Sequence, residues 1–82
     1  MITEQQLEYY LDGCEPDAIR FHGLDDAIIG VDHNSQLCYS YTLMLDIFME
    51  RDGMKQDEAV EWIDYNVLGT NAGVGFTVIF DE

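Results

Sequence analysis

Apolar and polar positions recur along the chain with two different periods, and each change of period marks an element. Leu7, Tyr10 and Leu11 fall on one side of a helix. Thr3-Glu4-Gln5-Gln6 just before them has the form of a capping box, with Thr3 as N-cap and Gln6 reaching back. A first helix is predicted over about residues 4–12. It should end at Asp12-Gly13, where glycine takes the left-handed conformation and Pro16 opposes continuation. Cys14 to Asp26 reads as loop or a short helical turn.

The β-branched run Ala27–Val31 and the shorter Gln36–Tyr39 flank the turn-forming Asp32-His33-Asn34-Ser35, which predicts a β-hairpin. Ser40 is placed to cap a second helix, with Leu43, Met44, Ile47 and Phe48 as its inward stripe and an end near Asp52-Gly53. A third helix is predicted from Gln56 to Val67. Ala59, Ile63 and Val67 share one line, Trp62 and Asn66 lie beside it, and Gly69 closes it. After the turn Gly69-Thr70-Asn71-Ala72-Gly73, the β-forming Phe76–Phe80 should complete the sheet. The expectation is one α+β domain over residues 1–82, in α-β-β-α-α-β order, with helices packed on an antiparallel three-stranded sheet.

Charge changes this picture from a fold to a function class. Seventeen Asp and Glu against three Lys and Arg give a net charge of −14 at pH 7, yet 48% of the 82 residues are apolar, enough for a core. Direct nucleic-acid binding and attachment to anionic membranes are excluded as expectations, because both need cations the chain lacks. No run approaches the roughly 20 apolar residues of a bilayer span, and Met1-Ile2-Thr3-Glu4 has no signal-peptide character. Residence in the host cytoplasm is the expectation, with Cys14 and Cys38 as reduced structural thiols.

Three stretches carry a resemblance. Gly23-Leu24-Asp25-Asp26-Ala27-Ile28-Ile29-Gly30-Val31, then Met49-Glu50-Arg51-Asp52-Gly53-Met54, then Glu58-Ala59-Val60-Glu61-Trp62 with Asn66 and Gly69, make residues 23 to 80 resemble small acidic proteins of tailed phages. The resemblance implies phage origin and brings no activity or site residue with it. Lys55, where a capping Ser would suit the third helix, and Val74-Gly75-Phe76, in place of an acidic or Pro-containing ending, suit a specialised member.

Candidate chemistry is sparse except for carboxylates. Glu4, Glu8 and Asp12 repeat every fourth residue, which on a helix sets them about 6 Å apart along the axis. Asp57, Glu61 and Asp64, beside Glu58, form a second stripe. Such rows loosely imitate a phosphate backbone; the plainer reading is the solvated face of an amphipathic helix. Met44, Phe48, Met49 and Met54 read either as core or as a deformable apolar groove. Ser35 near His33 and Asp32, and Ser40, lack a nucleophile elbow. Cys14, His22, His33 and Cys38 lack zinc-site spacing, and no catalytic residue, metal or cofactor is expected.

The expected function is a non-enzymatic inhibitor that mimics DNA. Glu4, Glu8, Asp57, Glu58, Glu61 and Asp64 would face the basic DNA-binding cleft of a host protein, with Met44, Phe48, Met49 and Met54 as anchor. Acidity and size are similar in kind to phage inhibitors of uracil-DNA glycosylase, which fill that enzyme's DNA cleft, and to inhibitors of restriction or CRISPR nucleases. A second expectation is a small structural or regulatory phage protein whose sheet edge pairs two copies as a homodimer, its charge serving solubility.

Overall fold

The computed structural model of the protein describes residues 2–70 and 74–81. Its elements are α1 (Glu4–Gly13), β1 (Ile28–Val31), β2 (Leu37–Ser40), α2 (Tyr41–Glu50), α3 (Gln56–Ile63) and β3 (Phe76–Ile79). A 3-10 turn covers Asp25–Ala27, and a π turn, Asp64–Leu68, extends α3. Of the glycine-rich turn expected before the last strand, Asn71 to Gly73 lie outside the described residues.

Local signals set the helix starts. The Thr3 hydroxyl accepts from the Gln6 amide, and the Gln6 side chain accepts from the Thr3 amide, each at 3.1 Å. Ser40 caps α2 by accepting from the Leu43 amide at 3.2 Å. Lys55 precedes α3 but has no acceptor, so only the reciprocal half of a capping box forms: Glu58 accepts from the Lys55 amide at 3.0 Å.

Two ends differ from expectation. Gly13 remains helical, and α1 stops because Cys14 is extended (φ −98°, ψ 159°). The third helix does not run as α-helix to Val67. From Asp64 it widens to π geometry, with the Gly69 amide donating to the Asp64 carbonyl five residues back at 3.0 Å. Asn66 donates its side-chain amide to the Trp62 carbonyl, and Thr70 its hydroxyl to the Asn66 carbonyl, so polar side chains take up carbonyls along the widened turn. A Cβ at Gly69 would press on the Asp64 and Tyr65 carbonyl oxygens at 3.2 and 3.1 Å, which is why glycine suits this close approach.

The sheet has the order β1-β2-β3. The expected hairpin forms, β1 antiparallel to β2, with a bulge at Ile29 between the pairs Ile28–Tyr39 and Gly30–Cys38. The expectation of a wholly antiparallel sheet is corrected: β3 runs parallel to β2, from Leu37 opposite Phe76 to Ser40 opposite Ile79. The segment from Tyr41 to Gly75 carries the chain from the far end of β2 back to its near end. A long, helix-bearing connection of this kind is what a parallel neighbour requires. β2 is thereby central, and all four of its residues are buried.

One face of the sheet, with Leu37, Tyr39 and Phe76, packs on Met44 and Phe48 of α2, Ala59 and Ile63 of α3, and Val67 of the π turn. Leu24, Ala27 and Ile28 complete this core, while α1 lies against β1. The irregular segment before β1 is tied down by Tyr39. Its hydroxyl accepts from the Phe21 amide at 3.0 Å and donates to the Ile19 carbonyl at 3.2 Å, and Phe21 packs edge-on against Tyr39 and Phe76. Gly75, at φ 97°, turns the chain into β3 with its carbonyl accepting from the Ile19 amide at 2.8 Å. A Cβ there would meet the Ile19 side chain at 2.9 Å.

Candidate binding surface

The apolar line Ala59–Ile63–Val67 fixes which side of α3 faces the core, and it turns Asp57, Glu58, Glu61 and Asp64 outward, all exposed. Local cations leave this face unneutralised. Arg20 pairs with Asp25 at 2.8 Å and Arg51 with Asp52 at 3.1 Å, and among the described residues no carboxylate of α3 has an ion-pair partner. In both pairs the arginine's hydrogen bond is the leading cause that holds the aspartate below the usual carboxylate range.

Beside the acidic face lies an open groove of about 330 Å³, lined by Met54, Glu58, Glu61, Trp62, Tyr65 and Asn66. From Glu58 to Asn66 these residues follow helical spacing, so one face of α3 and the π turn supplies most of the wall. Trp62 is 43% exposed and Tyr65 75% exposed, so both rings are open to solvent beside the carboxylates. The inner edge of Trp62 packs against Phe48 at 6.0 Å between ring centres, which seats it on the core.

The expected anchor set divides. Met44 and Phe48 are buried in the core cluster with Leu37 and Ile63, and neither lines this groove. Met49 is exposed, and Met54 reaches the groove. Glu4 and Glu8 are exposed on α1, an element apart from α3, and they do not line the groove. Tyr65 was missed in the sequence, although its place three residues after Trp62 and seven after Glu58 marks it as an aromatic on the polar side of the helix.

The remaining polar groups hold the fold. The buried Ser40 hydroxyl donates to Asp81, and Asp81 also accepts from the Thr42 hydroxyl and amide at 3.0 and 3.2 Å. Asp32 accepts from the Asn34 and Gln36 amides at 2.9 and 3.0 Å and from the Thr77 hydroxyl at 2.6 Å, bracing the hairpin turn against β3. Cys14 and Cys38 are free thiols, and burial pushes Cys38 up from its ordinary value. Among the described residues no group of three or more His, Cys, Asp or Glu is placed to hold a metal ion, and no helix is long and apolar enough to cross a membrane. Comparison of the chain with protein-family models, with curated proteins and with solved structures gives no match.

Proposed function

We propose that the protein is a non-enzymatic inhibitor that presents the acidic face of α3 and its adjoining groove to a basic DNA-binding cleft of a host protein. The observation that carries this reading is the adjacency of four exposed carboxylates and two exposed aromatic rings on one helix face, on a chain of net charge −14. Charge of this kind speeds encounter with a cationic cleft, while an apolar contact holds the complex. Met54, Trp62 and Tyr65 take the anchoring role, in place of Met44 and Phe48. Among DNA-processing enzymes, uracil-DNA glycosylase is the first target to test, with restriction and CRISPR nucleases next.

Capture from bacterial lysate at low and at moderate salt, followed by activity assays of the captured enzymes, tests the reading. The expected result is enrichment of one DNA-processing enzyme that is inhibited in proportion to added protein. The double reversal Glu61→Lys with Asp64→Lys should abolish capture and leave the fold intact, since both side chains are exposed. Capture of the same enzyme by that variant at parental strength would remove α3 from the mechanism.

A second reading, association of two copies through β3, draws on the exposure of Ile79 and Phe80 at the end of this edge strand. Sedimentation separates the two: a salt-insensitive dimer without an enzyme target supports self-pairing.

A further inference from the structure

In a hollow that shares Trp62 with the groove, the chain already holds an arginine. This hollow, which also shares Asn66 with the groove, is lined by Phe48, Arg51 and Asp52 as well. There the Arg51 guanidinium lies 5.8 Å from the centre of the Phe48 ring, and Asp52 accepts from both Nε and a terminal nitrogen at 3.1 Å. The Gly23 carbonyl accepts a further hydrogen bond at 2.7 Å. A two-pronged carboxylate and stacking on an aromatic face suit a planar guanidinium better than a spherical ammonium, and the carbonyl takes up a further donor.

The groove offers the same kinds of partner with the cation left out. Trp62 and Tyr65 supply aromatic rings, Glu58 and Glu61 supply carboxylates, with one Glu58 oxygen already accepting from the Lys55 amide, and Asn66 supplies a side-chain amide. No basic residue among the described residues lines it. Met54 gives an apolar wall against which a propyl stem can lie. We propose that this groove receives an arginine side chain projecting from the partner protein, its guanidinium stacked on Trp62 and Tyr65 and hydrogen-bonded by Glu61. The inference rests on the binding reading above and specifies the contact that anchors it. Basic DNA-binding clefts carry such arginines for phosphate and base-edge contacts, so charge complementarity favours this occupant over an acidic or purely apolar one.

Trp62 is the single tryptophan of the chain, so its fluorescence reports the groove directly. The experiment titrates the intact protein with a capped tetra-arginine peptide, and in parallel with tetra-lysine of equal charge. A saturable change in emission is expected, with arginine bound several-fold more tightly than lysine. Glu61→Gln should weaken arginine binding about tenfold, the scale of one charge-assisted hydrogen bond. Tyr65→Ala should weaken it and Tyr65→Phe restore it, whereas Glu4→Gln with Glu8→Gln, which removes two charges from α1, should leave it nearly unchanged. Circular dichroism of each variant confirms the fold.

Equal affinity for lysine and arginine, or equal weakening by the α1 and α3 substitutions, would overturn the arginine site in favour of general charge attraction. If the peptide fails to bind while a DNA-processing enzyme is still captured and inhibited, the groove assignment is wrong and the proposed function stands. If the peptide binds as described and no such enzyme is captured, the groove assignment stands and the DNA-mimic reading fails.

Discussion

Ser40 and Asp81, 41 positions apart, are hydrogen-bonded to each other at the N-terminus of α2. Ser40 uses the same oxygen to accept from the Leu43 amide, while Asp81 reaches the Thr42 amide and hydroxyl. The residue that ends β2 and the carboxylate that follows β3 thus share one helix terminus. A negative charge there also suits the helix dipole.

Replacing Ser40 with Ala removes a buried hydroxyl that caps α2 and anchors Asp81. A loss of about 1–2 kcal/mol in urea unfolding is expected. Hydrogen bonds from Ser40 first, then Thr42, hold the Asp81 carboxyl below its ordinary value of 3.8. A carboxyl depressed in the folded state stabilises above its unfolded value, and that contribution is lost as the pH falls through 3.8 toward the folded value. Asp81→Asn should therefore be less stable than the parent at pH 7, and the gap should close as the pH drops below about 3.8.

Tyr39 carries the opposite dependence. Burial pushes its phenol up from 10 to about 12, so the neutral form is favoured in the folded protein. The stability from this group is complete below pH 10 and is lost as the pH rises from 10 toward 12. An alkaline unfolding transition in that window is expected by circular dichroism, and Tyr39→Phe should shift it. At neutral pH the same substitution leaves the Phe21 amide and the Ile19 carbonyl without their partner, at a cost of about 1–3 kcal/mol.

The three methionines and one phenylalanine of the expected anchor set are separable by stability. Met44 is fully buried, and Met44→Ala should cost about 2–5 kcal/mol in urea unfolding. Met49 is exposed, and Met49→Ala should stay within about 0.5 kcal/mol of the parent.

Salt should act on the fold and on binding with opposite signs. Screening relieves the self-repulsion of a body with net charge −14, so the melting temperature should rise between 20 and 200 mM sodium chloride, roughly the range over which the Debye length falls below about 10 Å. The same screening should weaken capture of a cationic partner. A melting temperature that falls with salt would show that local pairs such as Arg20–Asp25 outweigh the repulsion.

Elements with strong local signals were legible in the sequence. The Thr3–Gln6 box, the Ser40 cap and the Ala59–Ile63–Val67 line each depend on residues within a few positions, and each is present. The direction of β3 depends on how α2 and α3 are carried over the sheet, which no short-range pattern encodes. The π turn depends on Asn66, Thr70 and Gly69 acting together on carbonyls that a regular helix would use differently. At the site, charge placement on α3 followed from periodicity, and the inward stripe of α2 already marked Met44 and Phe48 as core; grouping them with Met49 and Met54 as an anchor followed residue type rather than that periodicity.

The parallel placement of β3 also orders assembly in time. The β1–β2 hairpin closes a turn of a few residues and can zip in microseconds, whereas the Leu37–Phe76 pair must wait until both intervening helices have brought distant segments together. We expect β3 to dock after the folding barrier: Val78→Ala should speed unfolding and scarcely change refolding in stopped-flow measurements. Until that docking, β2 presents an unpaired edge, and the acidity of the chain then acts as a kinetic safeguard that keeps half-folded copies from pairing with one another.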